Sequence, residues 1–237
     1  MIIEAQGADQ RTLNEAVRLC TDRCIELVNV NGQRYVGDSL ADRELTIRGT
    51  AGNALGAYLN GAAIEVHGNA QDAVGDTMNS GTITVWGSVG DAAGYGMRGG
   101  TILVRGDIGY RAGIHMKAYE DRAPLLIVGG TAGSFLGEYL AGGTIVVLGI
   151  GKKREMPVGN FCGTGMHGGS IYLQAAAADN LPEQVCAEPA DITELEPYID
   201  LYCAAFGEEP RAQLMASPFL RLTPNTNNPY KQLYTYI

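Results

Sequence analysis

The sequence lacks a long hydrophobic run and an excess of positive charge. No stretch approaches the roughly 18 consecutive apolar residues of a membrane span, and MIIEAQGADQ at the start has no basic segment like that of a signal peptide. Lysine and arginine number 17 against 26 acidic residues, which gives a formal net charge of −9. Such a chain offers no basic face to a nucleic acid. We therefore expect a cytoplasmic protein that binds neither membrane nor nucleic acid.

Histidine and cysteine are scarce and scattered. The three histidines, His67, His115 and His167, form no pair at metal-ligand spacing. The five cysteines are odd in number and irregularly spaced, which favours reduced thiols over a disulfide framework or an iron–sulfur cluster. No G-x-S-x-G elbow, Walker loop or H-E-x-x-H motif is present. We therefore predict no catalytic residue, metal site or bound cofactor on this chain.

Glycine, by contrast, is abundant. The chain has 33 glycines in 237 residues, well above the usual share of roughly 7%. Two stretches, Gly94–Gly99 and Gly163–Gly168, match the G-x-G-x-x-G fingerprint of dinucleotide-binding loops. A true fingerprint follows a strand and opens a helix, whereas these stretches lead into further strand-like segments, TILVRG and SIYLQA. We interpret both matches as parts of a repeat.

The repeat has a period of 19 residues. Strand-like segments end in step on Gly49, Gly68, Gly87 and Gly106, and the series continues on Gly130 and Gly149. Apolar pairs two residues apart recur before these positions, from Leu45/Ile47 and Ile64/Val66 to Ile171/Leu173. A second set of glycines recurs between the strands, at Gly37, Gly56, Gly75, Gly94, Gly113, Gly137 and Gly163.

A period near 20 is typical of a β-solenoid, in which inward side chains stack on their equivalents one turn away. The second set of glycines would form corners, where the chain turns with positive φ or neighbouring coils approach closely. We predict an all-β-dominated fold, a single-stranded right-handed parallel β-helix of about seven coils. A short N-terminal helix and a C-terminal helical extension complete it.

The segments outside the repeat are predicted to cover its ends. Residues 1–29 form an N-terminal cap, a helix with a capping box at Thr12–Glu15 followed by a strand. Residues 30–175 form the glycine-rich β-helix, and residues 176–237 form a tail whose helix ends at Gly207. Outward positions of the later repeats carry an apolar stripe, Ile127, Val146, Leu148 and Tyr172, which this helix or another chain must cover.

Two repeats carry insertions at different offsets, in KAYEDRAP after Met116 and in IGKKREMPVGN before Gly163. Insertions in a solenoid form loops that often lie on a binding face, although plain solvated loops are the alternative. The candidate partner contacts are His115, Lys117 and Tyr119 in one loop and Lys152, Lys153 and Arg154 in the other.

The repeat and four longer segments resemble a known family. The segments are NVNGQRYVGD, GIHMKAYEDRAP, GSFLGEYLAGGTIVVLG and GTGMHGGSIYL. They resemble the β-helical GXGXG domain at the C-terminal end of the glutamate synthase large subunit, above all its stand-alone form. The tail from Phe206 through SPFLRLTPNTNNPY is also similar to that form.

The resemblance implies a non-catalytic assembly subunit. It implies glutaminase-type and FMN-binding synthase subunits as partners, with FMN and an iron–sulfur cluster on those partners and none on this chain. A homo-oligomer is a further partner arrangement that the sequence leaves open. Two alternatives stay open: the β-helical subunit of a formylmethanofuran dehydrogenase or formyltransferase/hydrolase complex, and an independent ligand-binding solenoid.

Overall fold

Parallel pairing of consecutive strands dominates the computed structural model, which describes residues 1–225. Its sheet has eleven strands in the order β1-β2-β3-β4-β5-β6-β7-β8-β9-β11-β10. The elements are β1 (Ile2–Glu4), α1 (Gln10–Leu19), β2 (Cys24–Asn31), β3 (Glu44–Thr50), β4 (Asn60–His67), β5 (Ser80–Val85), β6 (Thr101–Val104), β7 (Leu125–Val128), β8 (Ala141–Val147), β9 (Gly168–Leu173), β10 (Val185–Pro189), α2 (Ile192–Phe206), α3 (Arg211–Met215) and β11 (Leu220–Pro224).

The prediction of a mostly β chain with few helices is confirmed. Strands β1 to β9 pair in parallel and in chain order. Strand β11 then returns antiparallel to β9, and β10 pairs antiparallel with β11. The sheet is therefore mixed and not closed, so the finer prediction of a seven-coil parallel β-helix is not confirmed by it.

The register of the strands stacks equivalent residues of successive repeats. Leu45 pairs with Ile64 and Ile47 with Val66, and all four side chains are buried. The same alignment continues through β9, where Ile145 pairs with Ile171. Because each inward side chain lies on its equivalent one repeat away, the apolar pairs form continuous buried ladders. These ladders make up the larger hydrophobic core, which also takes in Leu13 and Val17 of α1.

A second ladder runs beside the sheet. Single parallel bridges connect one residue of each repeat to the next, in the series Ala51, Ala70, Val89, Ile108, Ala132 and Val158. All six side chains are buried. Each repeat therefore contacts its neighbours at two separate places, the strand and this bridge.

A third ladder passes through the predicted corner glycines. All seven have φ between +62° and +74°. Gly75 donates its N–H to the carbonyl oxygen of Leu55 in the preceding repeat (2.8 Å), whereas Ala73 donates to Asp91 and Thr77 to Tyr95 in the following repeat (2.7 and 2.8 Å). Alternate residues thus hydrogen-bond to opposite neighbours, which satisfies backbone groups of a segment that forms no regular strand.

Helix α2 covers the outer face of the later strands. Ile127, Val146, Leu148 and Tyr172 form a second buried cluster with Ile199 and other residues of α2 and α3. The helix begins after Asp191, whose side chain accepts a hydrogen bond from the Thr193 N–H, and ends at Gly207. The apolar stripe is therefore buried within the chain.

The N-terminal helix begins earlier in the structure than in the prediction. The first helix begins after Asp9, whose carboxylate accepts the N–H of Thr12 at 2.8 Å, so the capping box at Thr12–Glu15 is wrong. Residues 226–230 of the tail motif and the end of the 176–237 segment lie outside the described residues. The domain boundaries at 29 and 175 stay predictions.

No helix within residues 1–225 is both long and apolar enough to cross a membrane.

Candidate interaction surface

The insertion after Met116 folds back on itself. Tyr119 and Arg122 exchange backbone hydrogen bonds of 2.9 and 3.0 Å, and the Arg122 guanidinium lies 5.5 Å from the centre of the Tyr119 ring. Lys117 and Tyr119 are exposed. His115, just before this loop, is also exposed and lies on the third ladder.

The insertion before Gly163 lies at a different corner. It borders an open groove of about 540 Å³ with Asp107, Thr131 and Ser134 among the lining residues. The Lys152 Nζ donates to the carbonyl oxygens of Glu155 (2.8 Å) and Gln174, and burial lowers the pKa of this amine. Lys153 and Arg154 are exposed. The lining of this groove contains none of the candidate residues in the other loop.

The residues on either side of each corner glycine are the ones that sequence reasoning missed. Two positions before and two after the glycine, φ is again positive, although most residues there have a side chain. A non-glycine residue in this region costs about 1–2 kcal/mol. The earlier position holds Tyr35, Ala54, Ala73, Ala92, Arg111, Phe135 and Phe161; the later position holds Ser39, Tyr58, Thr77, Gly96, His115, Tyr139 and Gly165.

In the later repeats the first of these columns holds Arg111, Phe135 and Phe161, and Tyr110 lies beside it. The ring centres of Tyr110 and Phe135 are 5.3 Å apart, and those of Phe135 and Phe161 are 4.8 Å apart. Tyr110 and Phe161 remain 38% and 52% exposed. The stacking of Phe135 on Phe161 follows from the repeat, because equivalent positions lie about 4.8 Å apart along a parallel sheet.

The second column carries two rings, His115 and Tyr139, and Tyr95 lies next to the column. The His115 ring stacks on Tyr139 with centres 5.1 Å apart and planes 8° apart, and it meets Tyr95 edge-on at 6.0 Å. Tyr95 is 43% exposed. Arg98 donates to the His115 carbonyl oxygen at 3.4 Å, a long contact that brings a cation to this column.

An ion pair connects Arg111 of the first column to Glu138, the residue before Tyr139. The Arg111 Nε lies 2.9 Å from the Glu138 Oε2, and the Glu138 side chain is only 9% exposed. The contact is an ion pair without hydrogen-bond alignment, since Oε2 accepts no hydrogen bond from the described residues. The Arg111 guanidinium lies 5.0 Å from the Tyr110 ring centre and 5.6 Å from that of Phe135. We call the surface formed by Tyr95, Tyr110, Arg111, His115, Phe135, Glu138, Tyr139 and Phe161 the aromatic face.

A signal for this face was present in the sequence. Phe135 and Phe161 both stand two residues before a corner glycine, Gly137 and Gly163. The alignment of repeats therefore placed them in one column. Their outward direction was not evident, because glycine was the only residue expected to adopt positive φ.

The fingerprint glycines accommodate backbone of neighbouring repeats. A Cβ atom on Gly99 would lie 2.5 Å from the Asn79 carbonyl oxygen, and one on Gly168 would lie 2.4 Å from that of Ala141. These positions are therefore filled by protein. In the part of the chain from residue 1 to 225, no three His, Cys, Asp or Glu side chains group together in a way that could hold a metal ion.

Comparisons with known proteins identify relatives of sequence and fold. Residues 20–222 match the model of the GXGXG motif family. The chain is 42% identical to the uncharacterized protein MJ1350 of Methanocaldococcus jannaschii over 252 aligned positions, which cover 99% of this chain and 96% of the relative.

A solved structure has a similar fold. It is the X-ray crystal structure of the formyltransferase/hydrolase complex (FhcABCD) from Methylorubrum extorquens in complex with methylofuran. The likeness has a TM-score of 0.64 and 22% identity, and it covers 88% of this chain and 76% of the other chain.

Proposed function

The chain belongs to the GXGXG motif family, that of the C-terminal domain of the glutamate synthase large subunit, and on this premise we propose that it is a non-catalytic assembly subunit of a glutamate synthase-like complex. Its partners would be a glutaminase-type subunit and an FMN-binding synthase subunit. FMN and an iron–sulfur cluster would reside on those partners, and this chain would hold the partners in place.

The observation that carries this proposal is the aromatic face. Tyrosine, phenylalanine and arginine are enriched in protein interfaces, and here they are exposed together. Arg111, His115, Phe135, Tyr139 and Phe161 also occupy left-handed backbone conformations. The same conformation recurs at the equivalent positions of the other repeats, so it belongs to the repeat, and the side chains themselves are what supports a functional role.

The finer architecture belongs to the same proposal. Three ladders of contacts recur in each repeat, at the strand, at the bridge and at the corner glycine. These ladders support a winding into a parallel β-helix of about seven coils, and the preference of parallel crossovers for one hand supports a right-handed one. Such a stack is held by backbone hydrogen bonds along its length, which suits a part whose task is to fix distances between partners.

Reconstitution tests the proposal. The chain would be mixed with separately purified glutaminase-type and FMN-binding subunits of the same organism, and complexes would be measured by size-exclusion chromatography with light scattering. We expect co-elution, and we expect glutamine-dependent formation of glutamate from 2-oxoglutarate to fall when this chain is omitted. Separate elution of all three, with glutamate formation unchanged by the omission, would overturn the proposal.

A second candidate rests on the fold likeness to a chain of a formyltransferase/hydrolase complex. In this alternative the chain assembles with formyltransferase/hydrolase-type subunits instead. The same chromatography distinguishes the two: co-elution with those subunits, and none with the glutaminase-type subunit, would favour the second candidate.

A further inference from the structure

We infer that the aromatic face receives a loop of a partner subunit that carries a carboxylate beside apolar side chains, with Arg111 as the group that binds the carboxylate. This inference rests on the proposed function, since the partner is one of the subunits named there. It goes further by giving the surface and the chemistry of what it binds.

The geometry of Arg111 favours a carboxylate. Its single polar contact within residues 1–225 uses Nε, on Glu138, so the two terminal nitrogens have no hydrogen-bond partner in that part of the chain. The side chain is 45% exposed. A guanidinium presents its N–H groups as a planar fork that matches the two oxygens of a carboxylate. The free edge of Arg111 therefore offers a bidentate site at the surface.

The surroundings hold this fork in place. Glu138 is nine-tenths buried below it, and the Tyr110 and Phe135 rings lie within cation–π distance of the guanidinium. A side chain fixed from three sides loses little further rotamer freedom when a ligand binds. Glu138 is thus a positioning residue for Arg111, and it is too buried to meet a partner itself.

The charge around Arg111 is mixed, and Arg111 contributes the N–H donors that are left unused within residues 1–225. Arg98 reaches the His115 carbonyl oxygen, whereas Asp91 accepts the Tyr110 N–H and the insertion after Met116 carries Glu120 and Asp121 beside Lys117 and Arg122. The nearby carboxylate of Glu138 is already paired with Arg111. A partner with an acidic residue in an apolar loop would therefore gain both the charge contact and the ring contacts.

The ring arrangement favours a protein over a polysaccharide. Sugars stack on open faces of aromatic rings, but here the His115 ring lies against Tyr139, and Arg111 lies over Tyr110 and Phe135. Most of these rings therefore contact another ring or the guanidinium, and Phe161 at the end of its column is the most exposed phenylalanine or tyrosine of the face. What remains at the surface suits apolar side chains of a loop.

Binding of variants to the purified glutaminase-type and FMN-binding subunits tests the inference, with Kd measured by titration calorimetry. Arg111→Glu and Phe161→Ala should each weaken binding to one of these subunits by about 10-fold or more. Raising the salt concentration should weaken binding of the native chain, and this salt dependence should shrink in Arg111→Met. Phe161 is exposed, so its variant keeps the test valid even if an Arg111 variant folds poorly.

Arg48→Glu is the matched control. Arg48 is also an exposed arginine that forms an ion pair with a glutamate, Glu26, but it lies on β3 away from the aromatic face. Its variant should bind as the native chain does. If the native chain binds a subunit and the Arg111 and Phe161 variants bind it equally well, the inference is wrong and the proposed function stands.

The remaining outcomes are also decisive. If the native chain binds neither subunit, the proposed function fails and this inference fails with it. A calorimetric titration of the chain with soluble dextran tests whether the aromatic face binds a polysaccharide instead. Saturable dextran binding that Phe161→Ala abolishes would overturn the inference in favour of a sugar-binding surface.

Discussion

A Cβ atom on Gly75 would lie 2.5 Å from the Cδ1 of Ile102 in the strand of the next repeat. Four other corner glycines, Gly37, Gly56, Gly113 and Gly137, stand in the same relationship to an isoleucine, at 2.4–2.7 Å. The corner glycine therefore serves the core as well as the backbone. It has positive φ, and it leaves room for a side chain of the neighbouring repeat.

Replacing this glycine should destabilise the protein for both reasons. We expect Gly75→Ala to lower the free energy of unfolding by about 2–4 kcal/mol, since it adds a steric clash in the core to a strained φ of +67°. Ile102→Val removes the Cδ1 atom, so the double variant should lose less stability than the sum of the two single variants. Chemical denaturation of the four proteins measures this.

Ala73→Gly supplies the control for the backbone contribution. Ala73 lies two residues earlier with φ of +59°. Glycine there relieves a left-handed alanine, so stability should stay the same or rise by up to about 1 kcal/mol. If Ala73→Gly lowers the free energy of unfolding as much as Gly75→Ala does, the contact with the core is not what distinguishes the corner glycine.

The cover formed by α2 should be energetically important. Ile199 is fully buried against the apolar stripe, whereas Leu201 on the same helix is 39% exposed. Ile199→Ala should cost about 2–4 kcal/mol, and Leu201→Ala about 0.5 kcal/mol or less. The ring centres of the single tryptophan, Trp86, and of Phe206 at the end of α2 are 5.4 Å apart. A change in Trp86 fluorescence therefore indicates that α2 has moved away from the sheet. Equal losses in the two variants would contradict this account.

Alkaline pH should weaken the same cover. Burial raises the pKa of Tyr172 to about 12, helped by its hydrogen bond to Glu194, and burial also raises the pKa of Tyr202 to about 12. In the unfolded chain both would titrate near pH ~10. Because the folded pKa is the higher one, the stability from these groups is complete below about pH 10 and is lost as the pH rises toward about 12.

Unfolding free energies at pH 9 and pH 11 measure this effect. The native chain should lose more stability between the two values than the Tyr172→Phe/Tyr202→Phe variant does. Tyr58→Phe, at an exposed tyrosine, should behave as the native chain. An identical pH dependence in the double variant would show that other groups are responsible.

Three of the five thiols should react in a fixed order. Cys186 and Cys24 are exposed, and a hydrogen bond to Glu44 raises the pKa of Cys24. Cys162 is buried, and burial raises its pKa to about 12. Since the thiolate is the reactive form, iodoacetamide at pH 8 should modify Cys186 first, Cys24 next and Cys162 last. Peptide mass spectrometry gives the order, and Glu44→Gln should speed modification of Cys24 alone.

The repeat was predictable because its physical cause is local and recurrent. Inward positions such as Leu45 and Ile47 must be apolar in every repeat, and the next repeat must align with them. The period, the strands and the stacking partners follow from that constraint alone. Coverage of the stripe by α2 was one of two options, and only the structure distinguishes the helix from a second chain.

The missed features have no such recurrent signature. The antiparallel return of β11 onto β9 joins Leu222 to Ile171 across a long stretch of chain, and no periodic pattern encodes that pairing. The left-handed state of Phe135 and of Tyr139 is stabilised by the hydrogen bonds that their N–H groups donate to the next repeat, against the preference of the residue itself. For the same reason the aromatic face was not predicted, although Phe135 and Phe161 could be aligned.

The antiparallel strand β11 also limits the length of the molecule. A parallel series offers at each end an edge on which another copy could add, and repeated addition would give a filament. The reversal of direction at β11 breaks the template that the parallel strands provide. Repeats gained or lost before β9 would change the length of the sheet by about 4.8 Å each and leave β10 and β11 in place. Under the proposed function, a change in the number of repeats would therefore change the distance between two docked partner subunits in such steps.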